Sequence, residues 1–227
     1  MTDTIATGTY TPSDRTTPTR LRERVSYDRE AVHAALDEAV LCHVAFVADG
    51  APVVLPQLHV RVGETLYLHG STGARAMRRS LEDGLDVCVT VTHLDGLVLA
   101  RSAFHHSANY RCVVAHGRAH LVTDPVEKDE ALRHLVEAIA PGRSDHVRGP
   151  SRRELAATAL LRLDLEDVSY KHRSGPPGDD AEDLDLPWWA GVLPLRSDVP
   201  GTPVPAPDLT PGIEVPDHVD GWSRARH

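Results

Sequence analysis

The chain has few aromatic residues: 4% of 227 residues, with only two phenylalanines. Valine, leucine and alanine must therefore supply most of the core. Cysteine is equally sparse. Cys42, Cys88 and Cys112 are odd in number and contain no C-x-x-C pair, which argues against a disulfide scaffold or a zinc ribbon. Each lies in an apolar run, so buried free thiols in a reducing compartment are expected. No apolar run approaches membrane-spanning length and the N-terminus has no signal-type apolar segment, so a cytoplasmic protein with no membrane partner is predicted. Positive charge is in deficit: the net charge of −9 argues against a nucleic-acid partner. A G-x-G-x-x-G turn and a strand–helix alternation are both missing, which removes the Rossmann reading.

What is present is a series of short strands with helices at the edges. Residues 1–20, rich in Thr, Pro and Asp, predict a flexible arm or one laid over a partner. Ala31, Val32, Ala35, Leu36 and Ala39 form a helical stripe behind the cap Asp28. Strands follow over Leu41–Val47 and Pro52–Val60, with the Asp49-Gly50 turn between them, and over Thr65–His69. A second hairpin is predicted from Asp86–Thr92 and Gly96–Phe104 around His93-Leu-Asp95-Gly96, then a long strand Tyr110–Val122. Pro125 opens a helix that Pro141-Gly142 ends. Ser151-x-x-Glu154 is a capping box before a short helix, and Ala159–Asp167 reads as a last strand. Beyond Gly175 the composition turns to Pro, Asp and Gly around Trp188-Trp189. The organisation predicted is an arm 1–20, a barrel domain 21–174 and a Pro-rich extension 175–227. Hairpin spacing of this kind argues for a small antiparallel β-barrel.

The stretch Leu66-Tyr-Leu-His69-Gly70-Ser71-Thr-Gly-Ala-Arg75-Ala-Met-Arg78-Arg79 carries the most chemistry. A strand stops at a Gly-Ser turn and starts a helix with three arginines in its first two turns. Free N–H groups, a positive helix end, a hydroxyl and a guanidinium fork together make a seat for a phosphate. Arg75 and Arg78 share a helix face, and Arg75 is the preferred ligand because its fork suits a dianion. The plain alternative is a strand–helix junction with solvated arginines.

Fourteen histidines raise the question of a metal. His105 and His106 are neighbours and so face opposite ways on a strand, while His116 and His120 stand ~13 Å apart on one face, too far for one ion. No metal site is predicted. As proton donors beside an electron-transfer cofactor, His69 and His106 are the candidates. A lone axial ligand to haem is open to His59, His69 or His106.

With the strands in this order, the chain resembles the FMN-binding split-barrel superfamily, in the branch related to pyridoxamine 5′-phosphate oxidase and nitroimidazole reductases. The matching blocks include Val44-Ala-Phe46-Val, Thr65-Leu-Tyr-Leu-His69-Gly-Ser71, Val87-Cys-Val-Thr90-Val-Thr92, Asp95 through Arg111, Arg173-x-Gly-Pro-Pro177 and Trp189-Ala-Gly-Val-Leu-Pro194. The resemblance implies a six-stranded antiparallel split barrel that forms a homodimer and binds FMN between the subunits. It implies an FMN-dependent oxidoreductase acting on a small molecule and reduced by NAD(P)H or a partner reductase. The alternatives are a flavin or haem carrier or sensor, or an enzyme that uses haem or a deazaflavin coenzyme on the same barrel. Ser71 and Arg75 would hold the phosphate, with Arg78 beside them, and His69 and Gly70 would line the flavin edge. Thr90 and Thr92 would reach the ribityl chain or ring. Ser107, Asn109 and Arg111 would lie near the dimer interface, with Asn109 and Arg111 meeting the pyrimidine edge, Lys171 would approach the pocket mouth, and Trp188 would cover the flavin. The family often has a serine where this chain has Ala74, so one phosphate hydroxyl is missing. Trp222-Ser-Arg224-Ala-Arg226 echoes the ending of the oxidases only loosely, which points away from pyridoxamine 5′-phosphate as substrate.

Overall fold

The computed structural model describes residues 8–74, 76–77, 83–196, 202–210 and 212–222. Helix α1 (Arg29–Glu38) starts where Asp28 accepts the Ala31 N–H. The strands β2 (Leu41–Ala48) and β3 (Ala51–Val62) form a hairpin, with Ala48 opposite Ala51. Its two loop residues, Asp49 and Gly50, take φ of 54° and 78°, the mirror-image turn that matches strand twist. A second tight turn at Gly63, φ 58°, leads into β4 (Thr65–Ser71). The strands β5 (Leu85–Leu99) and β6 (Ser107–Leu121) follow, then helix α2 (Pro125–Ile139) and the box-capped α3 (Arg152–Ala157). Strands β7 (Thr158–Asp164) and β8 (Asp167–Arg173) come next, then an edge strand β9 (Gly191–Pro194) and a short α4 (Asp217–Asp220). A two-residue β1 (Val25–Ser26) pairs with β8.

Six of these strands close a ring in the order β6-β7-β4-β3-β2-β5, with β5 returning to β6. The ring is a split barrel because β6 shares one edge between two partners. Tyr110–His116 pair with β8, whereas His120 and Leu121 pair with β7. The changeover falls at Gly117, where an added Cβ would lie 2.6 Å from Leu163 Cδ1, so a larger residue would push that buried side chain aside.

The core is aliphatic, as the shortage of aromatics predicts. Leu66 and Leu68 of β4, Val89 and Val91 of β5, Val113 of β6 and Leu161 of β7 fill the barrel with Val32 and Leu36 of α1. Tyr67, pointing to the opposite face of β4, joins Val60, Leu160, Ala131 and Leu135 beneath α2.

Three sequence expectations are corrected. The second hairpin is one 15-residue strand, β5, because β6 pairs with nearly all of it and β9 adds at Gly96–Leu99. The Asp95-Gly96 step becomes a bulge between Leu94 and Gly96 instead of a turn. The segment through Phe104 ends in a one-turn helix, Ala103–His105. The expected last strand Ala159–Asp167 is two, since Leu165 turns the corner and its N–H donates to Glu64 O at 2.8 Å. From Gly8 onward the N-terminal segment lies on its own barrel. Tyr10 is buried and its hydroxyl donates to Glu64 Oε2 at 2.8 Å, while Ser13 donates to Asp167. One buried aromatic with a polar tip was enough to dock a segment whose composition read as loose.

Candidate functional site

The phosphate-seat motif forms the turn it predicted. At the end of β4, Ser71 O accepts the Ala74 N–H at 2.8 Å and the Ser71 hydroxyl accepts the Gly73 N–H at 3.3 Å. Thr72 N–H donates to Ala157 O at 3.1 Å, so the turn is anchored to the end of α3. Ser71, Thr72 and Gly73 are exposed, and Ala76 and Met77 continue as helix. Met77 is buried beneath Gly70, where an added Cβ would lie 2.8 Å from Met77 Cε. Ala74 is packed against the core, a role a serine hydroxyl would fill poorly. Arg75, Arg78 and Arg79 lie outside the described residues.

His69, just before the seat, is half-buried. Its backbone oxygen accepts from the Gln57 amide on β3, a contact nothing in the sequence signalled. Burial holds its imidazole below the usual pKa, so the ring is neutral near pH 7, and among the described residues its buried Nδ1 has no hydrogen-bond partner. The two other histidines considered for an axial role each hold a backbone carbonyl through one ring nitrogen. His59 Nε2 donates to Leu36 O at 3.0 Å, and His106 Nδ1 is 2.9 Å from Ser102 O. The role of His59 is structural. Together with His93, which donates to Ala35 O at 2.9 Å, it satisfies carbonyls in the last turn of α1 that the helix leaves open. Among the described residues no three His, Cys, Asp or Glu side chains converge on a metal position.

The remaining predicted residues fall into two groups on the far side of the barrel. Thr92 pairs with Cys112, which pairs in turn with Lys171, and Thr90 lies one step along. Thr90, Thr92 and Lys171 thus share one face of β5, β6 and β8. The Thr90 hydroxyl donates to Val113 O at 2.8 Å. Asn109 and Arg111 have the opposite orientation on β6. The Arg111 guanidinium donates to Glu38 Oε2 at 2.5 Å and Asp95 Oδ1 at 2.8 Å, and these two carboxylates hold its proton more tightly than usual. Asn109 is buried, donates to Gly175 O at 3.1 Å and accepts from Arg173. Ser107 is exposed at the start of β6. Trp188 and Trp189 are 63% and 69% exposed, so neither is covered by this chain. Trp222 donates to Ile139 O at 2.9 Å, and Arg224 and Arg226 lie outside the described residues.

One chain therefore does not gather all these residues. The seat is tied to β7 through the His69–Leu160 pair, and Leu160 O receives the N–H of Val122, past the end of β6. Asn109 and Arg111 sit at the other end of β6.

The sequence profile described as pyridoxamine 5′-phosphate oxidase matches residues 28–172. Among solved structures, the flavocytochrome Anf3 from Azotobacter vinelandii is 40% identical, with 92% of this chain and 97% of that one covered at a TM-score of 0.85. An FAD and haem binding protein from Mycobacterium smegmatis is 39% identical over 88% of this chain and 97% of that one, at a TM-score of 0.83. A candidate 5-nitroimidazole antibiotic resistance protein from Bacteroides thetaiotaomicron shares the fold. It is 19% identical, with 65% of this chain and 85% of that one covered at a TM-score of 0.55. No curated protein matches the sequence.

Proposed function

The chain belongs to the pyridoxamine 5′-phosphate oxidase family of split barrels, and from that membership we propose a flavin-binding redox protein that also carries haem. Two relatives near 40% identity over almost their whole length are a flavocytochrome and an FAD and haem binding protein. The observation in this chain that carries the reading is His69, neutral, half-buried and, among the described residues, with a ring nitrogen left without a partner beside the Ser71 turn. A neutral imidazole is the form that ligates iron, so the residue fits an axial role. The Ser71 hydroxyl would take the flavin phosphate, with Arg75 completing the charge. The flavin is FMN or FAD. When bound it supplies the electron chemistry, while the chain orients it and limits water.

The reading includes a homodimer. Asn109 and Arg111 lie at the far end of β6 from the seat, Thr92 and Lys171 pair with Cys112 beside them and Thr90 pairs at mid-strand, so a second copy would bring such residues to one flavin. Exposed Leu41, Val47, Val54 and Leu55 on the β2–β3 hairpin give that copy apolar surface to cover. Electrons would come from NAD(P)H or a reductase and pass to a small molecule.

The visible spectrum of the purified protein tests this reading. Bands near ~370 and ~450 nm report flavin and a Soret band reports haem. His69→Ala should abolish the Soret band and leave the flavin bands, and Arg75→Ala should do the reverse. A colourless protein that takes up neither group overturns the proposal.

A further inference from the structure

At the other end of β6 a polar cleft of about 260 Å³ is lined by Glu23, Arg24, His172, Arg173 and Ser174. It forms because β1 pairs with the end of β8, Val25 against Lys171, which brings Glu23 and Arg24 alongside His172–Ser174. Leu21 turns the chain into this position with φ 55°, a left-handed conformation that a leucine holds only at some cost.

The positive charge lining this cleft exceeds the negative. Arg173 is fixed in place, donating to Asn109 Oδ1, to Gly175 O at 3.3 Å and to Pro176 O at 3.0 Å. All three acceptors are neutral, so the guanidinium is held rigid with its full charge. Arg24 is half-buried and among the described residues has no carboxylate partner. The His172 ring is stacked on Tyr170, centroids 5.4 Å apart, which fixes its direction. Among the residues lining the cleft, Glu23 alone opposes this charge. Two guanidiniums, an imidazole and a serine hydroxyl are the donors a phosphoryl group needs. The opening is small for a whole drug-sized ligand and suits one phosphoryl group with what it is attached to. In a chain of net charge −9 such a spot stands out.

We propose that Arg24, His172, Arg173 and Ser174 form a second phosphate-binding site, distinct from the Ser71 turn, that takes the phosphoryl group of a phosphate ester. Glu23 accepts from a hydroxyl on the same ester. The phosphate belongs either to a nucleotide cofactor or electron donor, or to the substrate itself.

Titration of the full-length protein with inorganic pyrophosphate, followed by 31P NMR and calorimetry, tests the site. Arg24→Gln and Arg173→Gln should each weaken binding at least tenfold. Glu23→Gln should tighten it a few-fold, and Ser71→Ala should leave it unchanged. Arg24→Gln removes no side-chain hydrogen bond among the described residues, and Arg173→Lys keeps the charge, so the test survives if Arg173→Gln misfolds. Competition then identifies the source. Displacement of pyrophosphate by FMN or FAD assigns a flavin phosphate, and displacement by NADPH alone assigns the donor. Resistance to both assigns the substrate. No pyrophosphate binding, or binding in Arg24→Gln and Arg173→Gln within twofold of the parent, overturns the proposal. A protein that binds pyrophosphate here but shows no flavin or haem spectrum would sink the redox reading and leave this site standing.

Discussion

Arg111 and Arg173 lie on adjacent strands, one residue out of register, and the protein treats them in opposite ways. Arg111 is clasped by two carboxylates, Glu38 from α1 and Asp95 from the β5 bulge. It fastens the end of α1 to the barrel and has no charge left for a ligand. Arg173 is held as firmly, but by an amide oxygen and two carbonyls. Both are ordered, yet only one keeps its charge available. Where a guanidinium's partners are carboxylates, the structure has used it; where they are neutral oxygens, rigidity has been supplied and charge kept back. Residue type and strand position do not reveal this, which is why the resemblance assigned Arg111 to the flavin and left Arg173 without a role.

The largest effect should come from breaking the neutralised side of this pair. Arg111→Met leaves Glu38 and Asp95 facing each other without a counter-charge. Removing one partner from a buried pair costs several kcal/mol, and at roughly one-third exposure a cost of about 2 kcal/mol is expected. Urea unfolding midpoints measure it. Arg173→Met should cost about 1 kcal/mol, from the bond lost at the buried Asn109 amide oxygen, since the other freed acceptors are closer to solvent. Equal costs would erase the distinction.

The Tyr10–Glu64–His33–Arg29 cluster extends the comparison to the N-terminal segment, because it too is neutralised internally. Arg29 reaches Glu64 at 2.5 Å and lies over the Tyr10 ring, 4.2 Å from its centroid. Tyr10→Phe should cost about 1 kcal/mol, the net value of one hydrogen bond to a part-buried acceptor. The cluster should also shape the acid limb of stability. Burial first, then Arg61, depress the His33 pKa. The folded state therefore resists a proton that the unfolded chain takes up below about pH 6.5, and stability falls as pH drops through that value. Burial alone would raise Glu64, but Tyr10, His33 and Arg29 outweigh it and hold the carboxyl low. Its stabilisation is present above about pH 4.3 and is lost below it, as pH falls toward the folded value. His33→Gln should flatten the upper limb and spare the lower one. An unchanged slope between roughly pH 5 and 7 would show that His33 titrates as it does when unfolded.

Local signals made much of the fold legible. Asp28 caps α1, Pro125 opens α2, Ser151 and Glu154 form the capping box, and Asp49-Gly50 turns the first hairpin. Each is decided by groups within a few residues, so the sequence carries it. Asp95-Gly96 has the same turn chemistry but not the same outcome. Its neighbours in space, β6 and the distant β9, pair straight through it. The site divides in the same way. The Ser71 turn was readable because Ser71, Gly73 and Ala74 satisfy one another. Gln57 beneath His69 depends on a side chain reaching across the β3–β4 hairpin, and Arg24 beside Arg173 on a pairing between strands far apart in sequence, and no local pattern announces either.

Ser71 gives the smallest effect on stability and the finest test of the comparison. Its hydroxyl accepts a single N–H, from Gly73 at 3.3 Å, and the residue is exposed, so water can replace that bond. Ser71→Ala should therefore change the unfolding free energy by less than about 0.5 kcal/mol. The same hydroxyl is in the right place for a phosphate oxygen, and its loss should weaken flavin about fivefold, or about 1 kcal/mol. A thermal melt and a flavin-fluorescence titration on one preparation read both quantities. If ligand contacts are the ones the fold leaves unspent, affinity will fall while the melt stays in place. Should the melt fall as far as in Arg111→Met with affinity intact, the Gly-Ser turn is a structural junction and the available charge at Arg173 marks the functional end of the barrel alone.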